Sequence, residues 1–318
     1  MPAAAAYSIL LKKENAHEDP IYSCKWAKTN TTGDSKSNLK DFIVTGGLDG
    51  FVKVWRFENH KLEPIHTLQG HAMAVVSVAV SPDGHTIAST SQDSSLIIWD
   101  LVMGQKVHEI KTGATDVWSV AFSPYGTQIV SGGHTGKLFV YGIQKGTVDR
   151  MLDTRGKFAL SVAWSADNTY IASGSVDGTV CVFDVAQGKL LHTIEAHTLT
   201  VRSVAFSPNS QLLVTSSDDG KVKIYNVASA SLQSSLSHKT WILSALFSPD
   251  GSRVAAASAD GSVFVASVDG LKLLYTFKEH SAAACSLQFN ISGDKLISVS
   301  KDKSLNVYEC PPLPTKKK

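Results

Sequence analysis

Ser207-Pro208-Asn209-Ser210-Gln211-Leu212-Leu213-Val214-Thr215, continued two residues later by Asp218-Asp219-Gly220-Lys221-Val222-Lys223-Ile224-Tyr225, decides the fold. It holds two short apolar, β-branched runs, each opened by a turn signal. Runs of this kind read as buried strands. The opening turn recurs as Ser81-Pro82-Asp83-Gly84, Ser123-Pro124-Tyr125-Gly126 and Ser248-Pro249-Asp250-Gly251. Proline presets one φ and glycine tolerates a positive one, so the string is a hairpin turn with a mechanism.

The second turn sets a period. Its central residues are Asp49, Asp93, Thr135, Asp177, Asp219, Asp260 and Lys301's neighbour Asp302, so successive copies lie 44, 42, 42, 42, 41 and 42 residues apart. Six residues after each centre stands Trp55, Trp99, Tyr141, Phe183, Tyr225, Ala266 or Tyr308. A further apolar run precedes each Ser-Pro turn, as in Val75–Val80, Val117–Phe122 and Val201–Phe206. A more polar one follows the aromatic marker, as in Leu190–Ile194. Four short antiparallel strands per repeat, seven times over, predict an all-β, seven-bladed β-propeller. The last blade has three strands of its own, so Tyr7–Lys12 is expected to supply the fourth and close the ring, hiding sheet edges. The expected propeller spans residues 7–310. An insertion at 28–41 is read as a polar loop in blade one, and 311–318 as a disordered basic tail outside the fold.

Composition narrows the function. The chain has 318 residues, 43% hydrophobic and 18% charged, which excludes wholesale disorder. Thirty Lys and Arg against 28 Asp and Glu leave a net charge of +2, no basic footprint for nucleic acid. No apolar run is long enough to span a bilayer as a helix, and the first residues match a secretory signal poorly. Cys24, Cys181, Cys285 and Cys310 lie far apart and read as reduced thiols of a cytosolic or nuclear protein. Phosphate-loop, nucleophile-elbow and zinc-helix motifs are missing. The chain is expected to be noncatalytic, without cofactor or metal.

Gly70-His71 with Trp99-Asp100, Ala196-His197 with Tyr225-Asn226, and Glu279-His280 with Tyr308-Glu309 resemble the WD-repeat family. The resemblance implies a hydrogen-bonded tetrad of His, Ser or Thr, turn Asp and Trp. The matching positions are His17, Thr45, Asp49 and Trp55 in blade one, and His71, Ser89, Asp93 and Trp99 in blade two. Blade five offers His197, Thr215, Asp219 and Tyr225, and blade seven His280, Ser298, Asp302 and Tyr308. Blades three, four and six depart from the pattern; blade four has Arg155 in the His place. A carboxylate out of water needs donors, so recurring His–Asp pairs read as structural, not catalytic.

Propellers without chemistry are platforms, so the question is which face is sticky. Positions three and five past the tetrad His, and the one before the turn Asp, point to one end of the ring. There Tyr22, Leu48, Trp118, His134, Phe158, Leu160, Trp241 and Leu243 form an expected apolar crown, and Asp116, Arg202 and Asp218 polar anchors. Apolar patches and Trp, Tyr and Arg mark partner sites. The competing reading packs these side chains blade against blade. A single-stranded nucleic acid would want more interleaved Lys and Arg than Arg202 and Lys301 supply.

Leu152-Asp153-Thr154-Arg155-Gly156-Lys157-Phe158, Gly188-Lys189-Leu190-Leu191-His192-Thr193-Ile194-Glu195 and the 207–225 strings resemble the small WD-repeat subunit of the superkiller complex, which in animals also joins the polymerase-associated-factor complex. The resemblance implies a monomeric adaptor in the nucleus and cytoplasm. Its partners would be the helical-repeat scaffold and RNA helicase of the superkiller complex, and polymerase-associated-factor subunits, with no direct nucleic acid and no membrane. It further implies a partner peptide carrying Gln-Arg and an aromatic residue. An adaptor of an unrelated ubiquitin-ligase or signalling assembly is the alternative. An enzyme or small-ligand binder using the central channel is a third reading, which a bound ligand or a depressed-pKa cluster there would favour.

Overall fold

The computed structural model describes residues 6–30, 39–112 and 117–313. Seven four-stranded antiparallel sheets make seven blades. Blade five is representative, with strands Val201–Phe206, Leu212–Ser217, Lys221–Asn226 and Leu232–Ser237 in that order from the channel outward. Its opening hairpin is tied by its serine. Ser207 Oγ donates to Asn209 Oδ1 at 2.7 Å and accepts the Leu212 N–H at 2.9 Å. Ser165 with Asp167 and Ser81 with Asp83 repeat the device.

The second strand of each blade is almost wholly buried, while the outermost alternates or faces solvent. Both faces of a blade lie under neighbours, so middle strands read as continuous apolar runs. The cores accordingly sit between blades. One joins Ala172, Val180 and Val182 of blade four to Val201, Val204 and Leu213 of blade five. Non-directional burial of this kind carries most of the stability.

A second device joins the blades. Each inner strand carries a serine: Ser23, Ser77, Ser119, Ser161, Ser203, Ser244 and Ser286. Ser23 Oγ accepts the Val78 N–H (3.1 Å), Ser77 that of Val120 (3.4 Å), Ser119 that of Val162 (3.2 Å) and Ser203 that of Ala245 (2.8 Å). Ser286 accepts the Cys24 N–H at 3.3 Å, joining the last blade to the first. Ser161 Oγ is buried without a partner among the described residues.

Closure is by Ser8–Lys13, paired antiparallel with Leu305–Glu309. Two sequence expectations need correction. In blade one the strands run further than predicted: Lys28 pairs with Asp41 and Thr29 with Lys40, because a ladder extends while its backbone groups find partners, leaving 31–38 outside the described residues. The C-terminal segment is also held at its start. Arg253, fully buried, donates through Nη1 to the carbonyls of Cys310 (2.9 Å) and Pro311 (2.8 Å), and through Nη2 to Gly293 (2.7 Å). A buried guanidinium demands acceptors, and the segment after the last strand provides two of the three. Residues 314–318, with the Lys run, lie outside the described residues.

Candidate functional site

Two sets of side chains could carry function, the His–Asp pairs and the crown. In blade one, His17 Nδ1 lies 2.9 and 3.0 Å from the Asp49 carboxylate and Nε2 lies 2.7 Å from Thr45 Oγ1, which accepts Trp55 Nε1–H at 3.0 Å. Blade two repeats it. His71 Nε2 is 2.7 Å from Ser89 Oγ, which accepts Trp99 Nε1–H at 2.8 Å, and Nδ1 is 3.3 Å from Asp93. Indole N–H is only a donor, so the hydroxyl must spend its own proton on Nε2; Nδ1–H then faces the Asp49 carboxylate in blade one and, in blade two, Ser95 Oγ at 2.8 Å, which donates in turn to Asp93. Room for the ring comes from Gly47: a Cβ there would stand 2.7 Å from His17 Nδ1.

Blade seven uses Tyr308 for Trp. Ser298 Oγ is 2.9 Å from Tyr308 Oη and 2.7 Å from His280 Nε2, with Asp302 3.1 Å from Nδ1. Blade five keeps three members: His197 Nδ1 is 2.9 Å from Asp219 and Nε2 is 2.8 Å from Thr215. Its Tyr225 departs from the expected tetrad. Its phenol donates instead to Ala196 O at 3.0 Å. In blade four the turn carboxylate Asp177 is paired not by Arg155 but by Lys157; Arg155 takes a left-handed backbone, φ 58°, and is exposed. In blade six, His238 meets Asp260 through Nε2 at 3.2 Å and stacks on Phe264.

The titration of these groups fits a structural role. Burial pushes His71, His197 and His280 below the usual imidazole range, against the pull of their Asp partners. Burial alone would raise Asp302, but hydrogen bonds from Ser304 and the charge of His280 outweigh it and bring it down to about 2. A neutral imidazole beside an ionised carboxylate, linked directly in blade five and through Ser95 or Ser304 in blades two and seven, is the consistent state at neutral pH.

The crown has a backbone cause. Each inner strand carries one β-bulge, between Ile21 and Ser23, Val75 and Ser77, Val117 and Ser119, Ala159 and Ser161, Val201 and Ser203, Ile242 and Ser244, and Ala284 and Ser286. The bulged residues are therefore Tyr22, Val76, Trp118, Leu160, Arg202, Leu243 and Cys285. A bulge re-aims a side chain, and here it aims one from each blade at the mouth of the channel.

The mouth is a cavity of about 560 Å³ that brings Tyr22, Trp118, Arg202, Trp241 and Leu243 together. Trp241 is 53% exposed. Arg202 reaches across Asp218, Nε to Oδ1 at 2.8 Å and Nη2 to Oδ2 at 2.7 Å, and its guanidinium carbon lies 5.9 Å from the Trp241 ring centre. Asp218 is thus committed, with its side chain 10% exposed. This corrects its reading as an open anchor: a carboxylate held at both oxygens has little left for a partner's arginine. Asp116 lies outside the described residues.

The crown extends from the mouth through Trp118, which packs edge-on to His134 and Phe158 at 6.3 and 6.2 Å, His134 itself stacked on Phe158 at 3.9 Å. Trp118 and Phe158 are half-buried, because aromatic rings that close bury each other's faces. Leu160 lines the channel below the mouth and Leu48 is exposed at the rim of blade one. Among the described residues, no group of three or more His, Cys, Asp or Glu is placed to hold a metal ion.

Comparison with known proteins agrees with this architecture. The family model described as IFT122 first beta-propeller matches residues 38–309, and that described as WD domain, G-beta repeat matches residues 9–56. Similar curated proteins include the WD repeat-containing protein SL1-17 of Schistosoma mansoni, 32% identical over 99 residues, or 31% of each chain. The WD repeat-containing protein VIP3 of Arabidopsis thaliana is 35% identical over 88 residues, 28% of this chain and 25% of the relative. The small ribosomal subunit protein RACK1 of Caenorhabditis elegans is 39% identical over 82 residues, 26% of this chain and 25% of the relative. The matched stretches span 31% or less of these relatives' own length. By its repeats and by the extent of the family match, the chain belongs to the WD-repeat β-propellers, in the family described as the IFT122 first beta-propeller.

Proposed function

We propose that the chain is a noncatalytic adaptor that grips a partner polypeptide at the crown. One observation carries this reading: the mouth cavity sets the exposed Trp241 and the bulge-aimed Tyr22, Trp118 and Leu243 around Arg202. Aromatic and arginine side chains grouped in a concave place are the usual anchors of binding energy. Bidentate pairing to Asp218 holds the guanidinium in place, so it meets a partner without a large ordering cost.

The finer reading follows the sequence resemblance of blades four and five. The adaptor serves in a superkiller-type complex, on the helical-repeat scaffold that also holds an RNA helicase, and supports exosome-mediated mRNA decay. In the nucleus it serves in a polymerase-associated-factor complex, in transcription elongation and histone modification. The aromatic residue of the implied partner peptide suits the mouth. The peptide's arginine finds Asp218 already engaged.

Tagged chain purified separately from cytoplasmic and nuclear extracts tests this reading. Recovery of a helical-repeat scaffold with an RNA helicase in one and polymerase-associated factors in the other supports it. A ubiquitin-ligase or signalling set in their place would overturn the finer assignment and keep the adaptor.

A further inference from the structure

On the face opposite the crown the channel opens into a funnel of about 660 Å³. The half-buried rings of Phe122, Trp164 and Phe206 stand at its mouth, each the last residue of an inner strand. Its throat is wide because the inner strands put alanine there, as at Ala121 and Ala163. Blade one breaks that rule. At the place equivalent to those alanines it carries Lys25, while blade six carries Leu246 and blade seven Gln288.

Lys25 Nζ donates to Gln288 Oε1 at 3.2 Å. An ammonium has three protons to place. Among the described residues, no Asp, Glu or His lines the funnel and no carboxylate lies within ion-pair distance of Lys25. The hydroxyls of Ser123, Ser165 and Ser207 are occupied within their own turns. Burial holds the Lys25 ammonium below the ordinary lysine range, as expected of a cation lacking a counter-charge. The funnel therefore joins an apolar, ring-lined wall to one half-buried positive charge, in a volume within the range of small-molecule sites.

We propose that this funnel binds a small amphipathic carboxylate, its apolar body against Phe122, Trp164 and Phe206 and its carboxylate on Lys25. The site is separate from the crown and does not depend on the adaptor reading. The bond to Gln288 uses one of the three ammonium protons, and a ligand carboxylate would meet the others with opposite charge.

Calorimetric titration with phenylbutyrate and its neutral analogue phenylbutanol tests the proposal on wild type, Lys25→Leu and Trp241→Ala. Wild type and Trp241→Ala are expected to bind phenylbutyrate alike, while Lys25→Leu binds it at least about tenfold more weakly. Phenylbutanol should bind wild type and Lys25→Leu equally. Should Lys25→Leu not fold, Lys25→Gln carries the same comparison. Lack of saturable phenylbutyrate binding to wild type, equal affinity with and without the lysine, or loss of binding in Trp241→Ala would each overturn the assignment.

Discussion

Arg202 clasps Asp218 with two parallel hydrogen bonds, 2.8 and 2.7 Å long, and lies 5.9 Å from the ring centre of Trp241. The pair ties the bulged residue of blade five to its own turn and sets the guanidinium beside blade six. Asp218→Ala is expected to release the arginine and weaken partner capture about tenfold or less, since the anchor survives but its preorganisation does not. Thermal unfolding should barely move, because partly exposed ion pairs contribute about 0–1 kcal/mol. Unchanged capture by Asp218→Ala would mean that Arg202 plays no part at the crown.

The serine clasps give a paired test. Ser119→Ala leaves the Val162 N–H without its 3.2 Å acceptor and should cost about 1–3 kcal/mol in denaturant unfolding. Ser161→Ala removes a hydroxyl that is buried without a partner among the described residues, and should be close to neutral. Equal losses at both positions would remove the clasp as the explanation for the serine ring.

Blades five and seven differ in how their tetrads are wired. Ser298 Oγ and Tyr308 Oη are bonded to each other at 2.9 Å, so Ser298→Ala and Tyr308→Phe should be non-additive in a double-mutant cycle. Tyr225 Oη bonds to Ala196 O instead of Thr215, so Thr215→Val and Tyr225→Phe should add within about 0.5 kcal/mol if the sites are independent. Coupling in blade five as strong as in blade seven would contradict the wiring described.

Acid should unfold the ring through these same groups. Asp302, held at about 2 against an ordinary 3.8, contributes stability present above its ordinary value and lost as pH falls toward 2. His71, His197 and His280 also sit below their ordinary 6.5, so they too stabilise above that value, and stability is lost as pH falls through their folded values. The melting temperature should therefore decline from just below neutrality and again at strongly acid pH. Replacing His280 with Gln should blunt the first decline. A melting temperature that rose on acidification to pH ~5 would reverse the sign argued here.

The ring was legible because its signals repeat. The period, the Ser-Pro turns and the His, Ser or Thr, Asp and Trp positions recur, and each copy supports the others. Crown positions could be named from their offset to His17 or His197, but not their contacts. That Asp218 spends itself on Arg202 depends on a bulge that shifts register by one residue, and a bulge has no sequence signature in these strands. Lys157 pairs with Asp177 while Arg155 adopts a left-handed backbone and points to solvent, a local geometry that spacing does not encode. The serine ring was printed in plain sight, seven times, yet its partners lie in the next blade. Long-range pairing of that kind becomes visible only when the blades are packed.

Partner capture at Trp241 tests the central claim most directly. Trp241 is 53% exposed at the mouth, so Trp241→Ala should leave the melting temperature nearly unchanged. Calorimetric titration of the purified propeller with the partner scaffold should show affinity falling by about thirtyfold or more, the loss of a hot-spot residue at ~2 kcal/mol. Wild-type affinity in a normally folded Trp241→Ala protein would contradict the account.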